Sequence, residues 1–146
     1  MEYGFYGSGS APVSPVDPAY AAVRDQRHLY EILSELWCRY TCAPRLRDGW
    51  SEEDRTRGQC SVTAFLAQDI FGGKVYGIPR EGGSSFHCYN VVGDSLFDLT
   101  SEQFHGEELC YEGNPEQLRE VHFAKTEKRE RYEYLKKALL EYLKKA

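Results

Sequence analysis

Apolar residues recur along this chain with two periods, and the switch between them lays out its elements. Leu29, Ile32, Leu33, Leu36 and Trp37 follow i, i+3, i+4, i+7, i+8 spacing. That spacing gathers them on one face of a helix over about Val23 to Tyr40. Val62, Phe65, Leu66 and Ile70 repeat it and predict a second helix from about Cys60 to Asp69. Gly72-Gly73 stops that helix, because glycine leaves helical geometry without steric cost. The period then shortens to two. Lys74–Ile78, Ser85–Val92 and Leu96–Leu99 are strand candidates, with Gly93-Asp94 as the turn between the last two. Helical spacing returns over Glu127–Lys145, where Tyr132, Leu135, Leu139 and Tyr142 share one side. Helices, then an antiparallel meander, then a helix define an α+β fold.

Residues 1–20 carry neither period. Gly7-Ser8-Gly9-Ser10 and Pro12, Pro15 and Pro18 read as a flexible tail or an arm hugging the surface. Residues 21–146 are then one domain, and 146 residues suffice to bury one core. A net charge of −5 argues against nucleic acid as a partner. No apolar run approaches the roughly 20 residues that cross a bilayer, so no membrane is expected. The start of the chain has no positive segment followed by an apolar block, which points to the cytoplasm. Five cysteines occur with irregular spacing and no CxxC, so free thiols are expected in that reducing setting.

The chemistry concentrates where the second helix begins. Arg57-Gly58-Gln59-Cys60-Ser61 brings a thiol to a first helical turn. Free N–H groups and the positive helix end favour a thiolate there, and the thiolate is the attacking form. His87 lies on the second strand candidate and Asp98 on the third. If Val92 and Ser95 flank a two-residue turn, residue 91 opposes 96 and residue 89 opposes 98. Alternation then puts His87, Tyr89 and Val91 on the face that carries Leu96, Asp98 and Thr100. His87 and Asp98 become diagonal neighbours. The carboxylate can hold one imidazole nitrogen and leave the other to the thiol.

Cys60 as nucleophile, His87 as base and Asp98 as orienter are the candidate catalytic residues. Such a set attacks an amide or isopeptide bond through a thioester, as a hydrolase or an acyl-transferase. Gln59 is an auxiliary candidate, an amide donor to an oxyanion beside the N–H of Cys60. Asn90 is the other auxiliary; a regular strand points it to the opposite face, and only a bulge turns it towards the site. Plainer readings compete. Cys60 can be an apolar filler, and Asp98 can cap the Thr100-Ser101-Glu102 turn. Cys38, Cys42, Cys88 and Cys110 read as fillers, His28 as solvent-facing, and His105 and His122 as loop residues. A zinc held by Cys60, His87 and Asp98 is a minor alternative; no metal and no cofactor are expected.

Two blocks carry a resemblance. Arg57-Gly58-Gln59-Cys60-Ser61-Val62-Thr63-Ala64 with Gln68-Asp69-Ile70-Phe71-Gly72-Gly73 resembles the GQCxVTA…QDxFGG block of the YunG-like family of small bacterial proteins. His87-Cys88-Tyr89-Asn90 with Phe97-Asp98-Leu99-Thr100-Ser101-Glu102-Gln103-Phe104 resembles its HxxN…DLTxxQF block, and Arg131-Tyr132-Glu133-Tyr134-Leu135 its closing RYxxL helix. The resemblance covers about residues 30–140. It implies an α+β domain similar to the papain and transglutaminase-like superfamily, with Cys60 matching the nucleophile, His87 the base and Asp98 the third member. Enzymes of that superfamily place an oxyanion glutamine several residues before the cysteine, whereas Gln59 is adjacent to it. Either a peptide or protein substrate is implied, or an inactive scaffold that binds a protein or peptide partner.

Overall fold

Helix α2 (Cys60–Phe71) is the axis of the structure, and its composition says why. Nine of its twelve residues are buried, so it has no solvent stripe and needs neighbours on every side. A sheet covers one side and α4 (Thr126–Lys145), which follows the short α3 (Arg119–His122), another, while α1 (Gln26–Leu36) packs against α4. The computed structural model describes residues 3–145, and over them the architecture is α+β with one small antiparallel sheet. Val62, Phe65, Leu66 and Ile70 are all in the core, together with Leu29, Ile32, Leu33, Leu135 and Leu139 from the flanking helices.

Helix α1 is shorter than its apolar spacing suggests. Asp25 caps it by accepting a hydrogen bond from the His28 N–H at 2.9 Å, so it starts at Gln26 rather than near Val23. It ends at Leu36 because Trp37 turns extended and sends its indole N–H to Thr63 Oγ1 on α2, 2.9 Å away. That buried bond ties the end of α1 to α2. α2 runs on to Phe71 and stops at Gly72, whose φ of 78° is one that glycine adopts readily. In α4, Arg131 is buried and donates to the Thr41 carbonyl at 2.8 Å, tying the last helix to the loop after α1.

Strands β1 (Lys74–Arg80), β2 (Ser85–Val92) and β3 (Ser95–Phe97) lie in that order. Val92 pairs with Ser95 and Val91 with Leu96, so the register is the one that a two-residue turn dictates. β3 ends a residue before Asp98, which pairs instead with Tyr6: the Asp98 N–H donates to the Tyr6 carbonyl at 2.9 Å. On the far side, β1 exchanges bonds with the segment 115–117, where Gly77 N–H meets the Pro115 carbonyl and Gln117 N–H meets that of Val75. Pro79, which has no N–H to donate, sits in this outer strand rather than in the middle one.

Residues 3–20 are an arm laid on the body, the alternative that stood beside the flexible tail. Phe5 and Tyr20 are each 2 % exposed and belong to the core. The buried Gln26 amide accepts from the Val13 N–H and donates to the Ala11 carbonyl, both at 2.9 Å. Val16 N–H reaches the Ile70 carbonyl at 2.7 Å. At Gly7, with φ of 84°, an added Cβ would lie 2.1 Å from the Leu96 carbonyl oxygen, so the arm approaches β3 as closely as only glycine allows. Pro18–Tyr20 forms one 3-10 turn capped by Asp17.

Candidate active site

Cys60 is the first residue of α2, at the floor of a cleft of about 790 Å³. Gly58, in a left-handed conformation with φ of 69°, lets the chain turn into the helix. Gln59 precedes the helix without capping it through its side chain, so the first-turn amides stay open towards the cleft. In the protonated form, Cys60 Sγ has the Phe86 carbonyl oxygen at 3.7 Å as its acceptor. His87 follows on β2 and lines the same cleft.

His87 and Asp98 are 2 % and 0 % exposed, and His87 Nε2 donates to Asp98 Oδ2 at 2.6 Å. A bond this short between buried partners is that of a charge-assisted pair. The other ring nitrogen, Nδ1, is buried without a hydrogen-bond partner, and the nearby Cys60 thiol helps to lift the ring. Such contacts are often loose in the absence of substrate and tighten when it binds. Phe104 stands edge-on to the imidazole, centroids 4.6 Å apart, and walls it. Asp98 also plays its plainer part: Oδ1 accepts from the Thr100 N–H at 3.3 Å and holds the turn after β3. The cap and the histidine contact use different oxygens.

The three groups bias one another's ionisation. The Cys60 thiol is held well below its ordinary range, first by hydrogen bonding from the Cys88 thiol; burial opposes this and His87 adds to it. Burial presses His87 down, but the charge and hydrogen bond of Asp98, with help from Cys60, outweigh it and lift the ring to about 10. Cys88 is pushed well up, by its bond to Cys60 and then by burial, so it stays a thiol and a donor. Both directions favour a thiolate beside an imidazolium.

Neither auxiliary amide reaches the thiol, which corrects the sequence reading. Gln59 is buried and donates from Nε2 to the Cys38 carbonyl at 3.1 Å. Asn90 faces α2, as regular alternation requires, and donates to the Ala64 carbonyl at 2.9 Å. Both amides brace backbone. Three participants escaped the sequence reading. Cys88, on the face turned to α2, belongs to the core and also bears on the ionisation of Cys60. Tyr111 donates its phenol to Asp98 Oδ2 at 2.7 Å. His122 is buried; its Nε2 donates to Gln117 Oε1 at 2.8 Å and its Nδ1 accepts from Lys128 Nζ at 2.9 Å. Alternation of the strand could have shown only that Cys88 faces α2; the other two lie in a loop and a four-residue helix with no period.

Tyr111 gives a direct test of how tightly Asp98 is held. Tyr111→Phe removes one donor from a buried carboxylate and should lower stability by about 2 kcal/mol. A urea midpoint that falls with an unchanged slope would show it, and an unmoved midpoint would mean the phenol is dispensable.

Among the described residues no cluster of His, Cys, Asp and Glu is arranged to hold a metal ion, and no helix is long and apolar enough to cross a membrane. The class is therefore an α+β domain with a Cys, His and Asp cluster at a helix N-terminus. The YunG protein family model matches residues 25–144, and the chain belongs to that family. It is 34% identical over 116 residues to the uncharacterized protein YunG of Bacillus subtilis (strain 168), spanning 80% of this chain and 92% of that one. No solved structure matches it.

Proposed function

We propose that the protein is a cysteine hydrolase or acyl-transferase that cleaves amide or isopeptide bonds through a thioester on Cys60. The observation that carries this is the 2.6 Å contact of His87 Nε2 with Asp98 Oδ2, which leaves Nδ1 for a thiol at the mouth of α2. The Cys60 sulfur attacks the carbonyl carbon and the carbonyl π pair moves to oxygen. As that pair returns, the C–N bond breaks, and the amine leaves with the proton from His87 Nδ1. Water, giving its proton to the same nitrogen, attacks the thioester carbonyl and expels the Cys60 thiolate; an amine in its place gives transfer. The order Cys, His, Asp, with the thiol on a helix, His87 on the sheet and Asp98 just past its last strand, supports a likeness to the papain and transglutaminase-like enzymes. Five free thiols suit a cytoplasmic setting.

Since neither Gln59 nor Asn90 points its amide at the thiol, the oxyanion falls to the open first-turn N–H groups of α2. The same fact is what favours the second reading, a scaffold of this shape that binds a protein or peptide without cleaving it. A peptidyl electrophile separates the two. Wild type should be labelled at Cys60 and Cys60→Ala should lose that label, with the other four thiols as references within each sample. Equal labelling of the two proteins rejects the nucleophile.

A further inference from the structure

The chain is acidic overall, with a net charge of −5, but the cleft over Cys60 is not. Six cationic side chains line it against two carboxylates. The four arginines each have a carboxylate within 3.4 Å. Lys125 and Lys128 line the same cleft and have no such partner among the described residues. Since the two lining carboxylates are each taken up by an arginine, the cleft is left with net positive charge facing the thiol.

Lys128 is the more constrained of the two. Its side chain is partly buried at the first turns of α4, and its Nζ donates to His122 Nδ1 at 2.9 Å. His122 in turn is fixed by Gln117, whose own amide donates to the Pro115 carbonyl at 3.2 Å. Burial and Lys128 together drive His122 down to about 4, so the ring stays neutral and keeps accepting. A buried histidine thus holds an ammonium in place without cancelling its charge. An ion pair meant only to stabilise the fold would have ended on a carboxylate.

We propose that the substrate carries an anionic group near the bond that is cleaved, and that Lys128, positioned by His122 and Gln117, is its receptor. This rests on Cys60 being the acyl acceptor proposed above. The field of a one-signed cleft raises the local concentration of an oppositely charged reactant by about tenfold or more and shuns like charge. Lys125 at the rim adds to that field.

Alkylation by iodoacetate and iodoacetamide reads the field directly. In both reactions the Cys60 sulfur forms a bond to the methylene carbon and the C–I pair leaves as iodide; the reagents differ only in the charge beside that carbon. The ratio of the two rates is taken at each cysteine by peptide mass spectrometry, so a general loss of reactivity cancels. Exposed Cys110 is the internal reference. At Cys60 iodoacetate should outrun iodoacetamide, and the ratio should exceed that at Cys110 by about tenfold. Lys128→Gln should remove most of that excess and Lys128→Arg should keep it. In wild type the excess should also shrink as salt rises from ~20 to ~500 mM, a check that needs no variant to fold. Fast alkylation of Cys60 with a ratio no higher than that of Cys110, or one that Lys128→Gln leaves unmoved, overturns the anionic substrate alone. Slow alkylation by both reagents overturns it together with the nucleophile.

Discussion

Asp98→Asn is expected to cut the rate of Cys60 alkylation by iodoacetamide at pH 6 by on the order of 10–1000-fold, the effect of losing a counter-charge worth ~1–3 pKa units. The sign follows from which influences remain. In wild type the Asp98 charge and hydrogen bond offset burial and lift His87 to about 10, so the ring is an imidazolium throughout the acidic and neutral range. That cation helps to hold the Cys60 thiol well below its ordinary range. The wild-type rate should therefore rise well below the range of an ordinary thiol, with the ion pair lost only as pH climbs through about 10. Asparagine still accepts from Nε2 but brings no charge. Burial then governs the ring, which becomes neutral, and Cys60 ionises only near the ~8.5 of an ordinary thiol. The pH–rate curve of the variant should rise late. Identical curves would mean that the carboxylate does not act on the thiol. A thermal melt at the same pH separates this from unfolding, since removing one member of a buried pair costs roughly 3–5 kcal/mol.

Removing residues 1–20 should lower stability by about 3–6 kcal/mol, the burial of two large aromatic side chains at ~1.5–3 kcal/mol each. Phe5 and Tyr20 supply that burial from the arm. For a domain whose stability is of order 5–15 kcal/mol, the loss is a large fraction of the whole. The arm also reaches the site. Tyr6 lends its carbonyl to the Asp98 N–H and stacks its ring on Tyr111, centroids 4.1 Å apart, and Tyr111 in turn holds Asp98 Oδ2. Truncation should thus slow Cys60 alkylation at low pH as well as lower the urea midpoint. A truncated protein with the full midpoint would restore the picture of a dispensable lead-in.

The sequence left arm and flexible tail undecided for a physical reason. The arm's docking rests on two aromatic anchors and on backbone groups taken up by Gln26, Ile70 and Asp98, none of which leaves a period in the sequence. Composition alone, rich in glycine, serine and proline, points the other way. The hairpin was legible because a two-residue turn leaves one register and alternation leaves one face, and the pairing of Val92 with Ser95 is what sets His87 near Asp98. Asn90 facing α2 follows from the same rule. Gln59 is different: whether a side chain beside a helix start turns to the cleft or to a neighbouring loop depends on Cys38, twenty-one positions away. Tyr111 belongs to the same category, since its partner Asp98 comes from another segment.

The way the sheet is flanked bears on how the protein meets other chains. β1 is accompanied by residues 115–117 and the end of β3 by Tyr6, while Pro79 leaves a gap in the donors of the outer strand. Unpaired strand margins are where polypeptides recruit one another into amyloid-like stacks or swapped dimers. With its margins already in use, this sheet is poorly suited to templating such growth, and a visiting peptide would have to bind through its side chains in the cleft rather than by joining as a fourth strand.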